Sequence, residues 1–170
     1  MIMFLKTTQK YFSMRNKFSI VDQNDTQFYF AQSYFKIRQN CSLYTLEGAL
    51  VYELECKILS LFGKYFIKDI RGDVIGMFSG KFHKPFIQKW RLEIGDKKYV
   101  LRTGGFNCKV FSATDNWKYN SKTDLVGVIH KRLARIRDTY EFDFDETRLP
   151  LDLATLCMLW MDCRFHGEHH

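Results

Sequence analysis

The chain has 170 residues, 46 % hydrophobic and 16 % aromatic, and its 26 Lys and Arg against 19 Asp and Glu leave a formal net charge of +7. That length suits one domain burying roughly 70 % of its unfolded surface, and with only two prolines, Pro85 and Pro150, disordered linkers are excluded. The five cysteines are odd in number and hold no pair at two-residue spacing, which excludes a disulfide framework and a zinc site, so reduced thiols are expected.

In chain order, Met1 to Leu5 is apolar but stops at Lys6. That is too short for a secretory core, and no small-residue cleavage site follows, so a cytoplasmic protein is expected. A twelve-residue phrase then begins at Tyr11 and returns from Tyr34 and from Ile58, with a late echo from Arg132 to Asp143. Recurrence at this period marks one supersecondary unit laid down repeatedly. Each phrase has two arms alternating at period 2 around a short break, at Arg15-Asn16, Arg38-Gln39-Asn40, Phe62-Gly63 and Arg137-Asp138, which is the pattern of a β-hairpin. Between phrases, Asp22-Gln23-Asn24-Asp25, Thr45-Leu46-Glu47-Gly48 and Asp69-Ile70-Arg71-Gly72 supply turn residues. Strands are expected near 3–14, 17–22, 26–37, 40–45, 49–61, 64–69, 73–83, 88–94, 97–103, 106–113, 123–135 and 138–144.

Twelve antiparallel strands in succession either split into two sheets or close on themselves, and closure abolishes exposed edges. What fills the middle is read from the last segment. Pro150 to Cys163 is apolar on every side and opens on a proline suited to the first helical position. A helix without a polar face must be buried. At about 1.5 Å per residue its length is near 21 Å, short of the ~30 Å that crosses a bilayer, so it belongs inside the barrel. The expected fold is mainly β, a closed antiparallel barrel of about twelve strands around a central hydrophobic C-terminal helix. One domain spans residues 1–165. Residues 166–170 form a tail, whose Glu168-His169-His170 looks like a tag remnant. Phe18, Phe28, Phe30, Tyr65, Trp90, Tyr140 and Phe142 are assigned to the packing between strands and helix. Asp162, at the negative end of the helix dipole, is expected to be held by rim N–H groups or by an Arg or Lys.

This meander of hairpins with Asp-x-x-Gly turns, ending in an apolar helix at Met161-Asp162-Cys163, resembles the LURP-one-related family. The phrases Phe18-Ser19-Ile20-Val21-Asp22 and Tyr65-Phe66-Ile67-Lys68-Asp69-Ile70-Arg71-Gly72-Asp73-Val74 carry the resemblance over about Met1 to Cys163. It implies a fold like the tubby C-terminal domain and the phospholipid scramblases, whose members bind phosphoinositide headgroups or act on membrane phospholipids. No tubby headgroup-binding residue is carried over to a numbered position here.

A search for catalytic signatures finds no Gly-x-Ser-x-Gly elbow, phosphate-binding Gly-Lys-Ser/Thr loop, His-Glu-x-x-His or dinucleotide fingerprint, so no enzymatic activity and no cofactor is expected. His83 and His130 stand without ligand-spaced neighbours, and no metal site is expected. Asp143, Asp145 and Glu146 are assigned to the outer face and the end of the last strand. Charge is the functional lever, because a basic balance favours polyanions. The candidate ligand-binding residues are Lys81, Lys84 and Lys89, flanking Pro85, together with Lys131, Arg132, Arg135 and Arg137. Three partner classes follow. The first is an anionic phospholipid or phosphoinositide headgroup at a membrane surface, without a transmembrane span. The second is an unidentified protein held by a scaffold without a small ligand. Nucleic acid ranks last, since only Trp117-Lys118-Tyr119 interleaves aromatic and basic residues.

Overall fold

The computed structural model describes residues 2–10, 16–35, 39–57, 63–84, 87–133 and 138–167. Twelve strands run in order: β1 (Ile2–Lys10), β2 (Asn16–Val21), β3 (Gln27–Phe35), β4 (Gln39–Thr45), β5 (Leu50–Lys57), β6 (Lys64–Lys68), β7 (Val74–Lys84), β8 (Ile87–Ile94), β9 (Lys97–Gly104), β10 (Asn107–Ser112), β11 (Leu125–Leu133) and β12 (Asp138–Asp145). They precede one helix, α1 (Leu151–Gly167). Every strand pairs antiparallel with its sequence neighbours, and β1 also pairs with β12, placing Leu5 opposite Phe142 and Lys6 opposite Glu141. The sheet is a closed barrel, so no strand edge remains unpaired.

Alternation decides which side chains fill it. On β6 Tyr65 and Ile67 are buried while Lys64 is exposed, and on β9 Tyr99, Leu101 and Thr103 point inward between Lys98 and Arg102. Gly127 on β11 allows a close approach. A Cβ there would meet Phe142 Cε2 at 2.5 Å and Phe144 Cβ at 2.8 Å.

α1 occupies the barrel. From Leu153 to Arg164 each of its residues is buried, and its contacts reach strands all around the wall. Trp160 stacks on Phe78 of β7 with ring centroids 5.2 Å apart and meets Trp90 of β8 edge-on at 5.1 Å. Thr155, fully buried, satisfies its hydroxyl by donating to Leu151 O at 2.8 Å. Tyr52 of β5 donates to Asp152 Oδ2 at 2.7 Å, and Tyr99 donates to Arg148 O at 3.0 Å, so both mark the barrel end at the helix N-terminus. Thr103 and Gln88, bonded to Arg164, mark the opposite end. The six turns that follow β2, β4, β6, β8, β10 and β12 lie at the N-terminal end.

Several expectations are corrected at the level of single residues. The carbonyl of Pro150 accepts the first helical bond from Ala154 N at 2.8 Å, which makes Pro150 the cap and Leu151 the first helical residue. The helix does not stop at Cys163 but continues through Gly167, so His166 and Gly167, assigned to a tail, are its last residues. Residues 168–170 lie outside the described residues. Phe18, Tyr65, Trp90, Tyr140 and Phe142 are in the core, and Phe28 packs partly against it. Phe30 is not: it stacks on Tyr44 at 5.1 Å outside the core. Phe30 faces out because it alternates regularly with the inward Ala31; the bulge lies before it, where Ile20 pairs with Tyr29 but Val21 with Gln27, and makes Phe28 an extra residue that packs against the core out of parity. Cys41, Cys108, Cys157 and Cys163 are buried and Cys56 is half-buried, and all five are thiols rather than disulfides.

The inward tyrosines make the fold sensitive to alkali. Burial, with the Asp152 hydrogen bond and charge behind it, pushes the Tyr52 phenol above its ordinary 10.0. Burial likewise raises Tyr65, and it lifts Tyr99 to about 12. A group whose folded pKa is raised stabilises the fold fully below the unfolded value and loses that contribution as pH rises above it. Stability is therefore expected to fall from about pH 10 upward. These phenols should ionise only in step with loss of the far-ultraviolet circular dichroism. Titration of every tyrosine before that loss would contradict their burial.

Candidate functional site

The site lies toward the helix C-terminal end and on the outer wall beside it. Inside, Arg164 places a cation in the last turns of α1, where the macrodipole is negative. Its Nη1 donates to Thr103 Oγ1 at 3.0 Å and its Nη2 to Gln88 Oε1, while the guanidinium lies 5.5 Å from the Trp90 ring and 5.9 Å from that of Trp160. Asp162 is buried at 7 % exposure.

Outside, residues 113–124 fold back over β8, β9 and β10. Ala113 N donates to Lys98 O at 2.9 Å, Ser112 N to Asp124 O at 2.8 Å and Asn120 N to Asp124 Oδ2 at 2.6 Å. Trp117 closes a turn on Thr114 O with φ of 58°, a left-handed value that a bulky residue adopts only under tertiary constraint. Beneath the loop, Val100 and Phe111 face each other across β9 and β10 and are buried outside the main core, Phe111 against Tyr119 at 4.7 Å.

Cations surround these rings. Arg91 lies 4.9 Å and Lys98 5.9 Å from the Trp117 ring, and Lys89 lies 5.0 Å from that of Tyr119. Beside them a groove of about 430 Å³ is lined by Arg102, Asn107, Lys109, Phe111, Ser121 and Leu125, among others. Register explains why the cations converge. Lys81 stands opposite Lys89, Lys89 opposite Arg102, and Arg102 opposite Lys109, a row of four basic positions across β7 to β10. Strands are about 4.8 Å apart, so Lys89, Arg102 and Lys109 stand within about one Debye length and act as one field. Among the described residues none of these three forms an ion pair with a carboxylate. Like charges directly opposite one another destabilise a sheet by about 0.2–1 kcal/mol per pair.

No family profile, curated protein or solved structure matches this chain. The site therefore rests on its own geometry.

Of the residues singled out in the sequence, Lys89 belongs to this row, and Lys81 and Lys84 lie on β7 with their side chains outside the described residues. The second cluster does not form one face. Lys131 and Arg132 are adjacent on β11 and alternate: Lys131 shares the side of Ile129 and lies 5.9 Å from the core Tyr140 ring, whereas Arg132 points out and donates to Glu141 Oε2 at 2.9 Å. Arg135 and Arg137 lie outside the described residues. Arg102 and Lys109 stand outside both clusters assigned from the sequence. The signal for both was present, since the turns at Gly95-Asp96 and Gly105-Phe106 set opposite Lys89 and Lys109 the same residue, Arg102.

His130 Nδ1 is 2.9 Å from Asn107 Oδ1, and among the described residues no group of three or more His, Cys, Asp or Glu side chains could hold a metal. The acids of β12 lie as assigned, Asp143 exposed and Glu141 paired to Arg132. Asp145 closes the following turn, where donation from the Thr147 hydroxyl and N–H holds its carboxyl below the ordinary range. No helix among the described residues is long and apolar enough to cross a membrane.

Proposed function

We propose that the protein is a non-enzymatic binding module that docks on anionic phospholipid at a membrane surface, with the groove between Arg102 and Lys109 receiving a phosphorylated headgroup. The observation that carries this reading is the in-register row Lys89, Arg102 and Lys109, which no carboxylate among the described residues neutralises. Arg grips a phosphate with paired N–H groups and Lys supplies a point charge, and Asn107 and Ser121 add neutral hydrogen-bonding groups to the same groove. The resemblance to the LURP-one-related family is a further support, and membership of that family is part of the proposal. So are a cytoplasmic location and the absence of catalysis.

Nucleic acid is the weaker ligand for this surface. Stacking needs open ring faces, and Trp117 and Tyr119 already have Arg91, Lys98, Lys89 and Phe111 against them. Sedimentation with phosphatidylcholine vesicles, with and without phosphatidylserine or a phosphoinositide, tests the reading beside single-stranded DNA. Binding is expected only to the anionic vesicles and should weaken as salt shortens the Debye length from about 10 Å at 0.1 M to about 3 Å at 1 M. Indifference to anionic vesicles at low salt would sink it and leave the protein-scaffold reading.

A further inference from the structure

One wall of the groove belongs to the loop over residues 113–124 rather than to the sheet. Ser121 supplies it, lining the groove together with Arg102, Asn107 and Lys109. A tight turn fixes its place: Asn120 N donates to Asp124 Oδ2 at 2.6 Å, Lys122 N to Asn120 Oδ1 at 2.9 Å and Asp124 N to Asn120 O at 2.9 Å. Arg102, Asn107 and Lys109 all carry N–H donors, and no carboxylate among the described residues lines the groove. Gly104 adds no side chain, and a Cβ there would meet nothing within 4 Å, so space stays open next to Arg102.

Ser121 differs from the other aliphatic hydroxyls of the loop. Thr114 Oγ1 donates to Lys118 O at 3.4 Å and Thr123 Oγ1 to Asp124 Oδ1 at 3.2 Å. The Ser121 hydroxyl has no such bond among the described residues. Ser121 is exposed, as are Lys118, Asn120, Lys122 and Thr123 around it. Lys118, three residues before it, and Lys122, next after it, supply the flanking charge that basophilic protein kinases read in a substrate.

We propose that Ser121 is a phosphorylation site whose phosphate occupies the groove from within and switches off its binding of anions; this rests on the phospholipid reading above. In the modification, Ser121 Oγ attacks the γ-phosphorus of a nucleoside triphosphate held by a protein kinase. A bond forms from Oγ to phosphorus, the bond from phosphorus to the bridging oxygen breaks, the nucleoside diphosphate leaves, and the hydroxyl proton passes to the kinase's base. The product carries about −1.5 to −2 charge at pH 7 and acceptor oxygens that Arg102, Lys109 and Asn107 can satisfy as they would those of a headgroup phosphate. Because it is tethered, it competes at an effective concentration on the order of millimolar.

Three measurements test this. The whole chain is incubated with ATP and a basophilic kinase and mapped by mass spectrometry, and Ser121 is expected to carry the phosphate. A map without phosphate on Ser121 would overturn the assignment. Protein carrying phosphoserine in place of Ser121 is then titrated by phosphorus nuclear magnetic resonance. An exposed phosphoserine loses its second proton near about pH 6. Beside Arg102 and Lys109 the loss should come at lower pH, and in the R102Q/K109Q background it should return toward the exposed value. The same titration in both backgrounds would overturn the seating while leaving groove binding intact. On phosphatidylcholine vesicles containing phosphatidylserine, the phosphorylated protein should bind roughly 30-fold more weakly than the unmodified one, the worth of two basic residues at an anionic surface. Unchanged affinity would sink the switch. Failure of the unmodified protein to bind these vesicles would remove the phospholipid reading itself, and the resonance titration would still decide whether the groove holds the phosphate.

Discussion

Neutralising the basic row, in the variant K89Q/R102Q/K109Q, is expected to weaken binding to anionic vesicles about 100-fold while leaving the fold intact. Each residue near an anionic surface contributes about 1 kcal/mol, so the three together give about 3 kcal/mol, close to two factors of ten. Stability should not fall, because surface changes of this kind shift it by about 0.5 kcal/mol or less and the three like-charge register pairs of the row are relieved at once. The salt dependence should flatten in parallel, since fewer counterions are displaced. Lys89 also lies against Tyr119, so the loop over residues 113–124 loses one cation–π contact worth about 0.5–1 kcal/mol at an exposed site. A variant that binds vesicles as tightly as the native protein would show that this row is a solvated face only. Equal loss of binding and of melting temperature would point instead to a structural role for the row.

Substitution of the inner helix carries the larger effect on stability. Leu156 has no exposed surface, and Leu156→Asp would bury a carboxylate among apolar side chains, at a cost of several kcal/mol against a total of about 5 to 15. No folded protein is expected from it. Trp160→Ala is the graded version: the indole is fully buried between Phe78 and Trp90, and a Trp-to-Ala cavity costs about 3–5 kcal/mol. For a chain of this length that is about 10 °C or more in melting temperature. A cooperative melt unchanged in either variant would mean the helix does not fill the barrel.

Much of this was legible in the sequence because hairpins are local. Alternation named the inward residues of each strand, and a turn such as Gly95-Asp96 or Gly105-Phe106 fixes which residues oppose one another, so the line Lys89, Arg102, Lys109 follows from strand assignment alone. The separation of Lys131 from Arg132 was equally available, since neighbours on a strand face opposite sides. The apolar segment after Pro150 announced a buried helix because nothing on it is polar enough to meet water.

What the tertiary structure decided depends on contacts distant in sequence. Pairing of Leu5 with Phe142 closes the barrel, and no local signal specifies it; it arises because two apolar-faced edge strands leave backbone groups unpaired until they meet. The bulge that lets Phe28 pack against the core depends on how β2 and β3 fit around it, and the loop that carries Trp117 and Tyr119 back over Val100 and Phe111 depends on a patch built by two other strands.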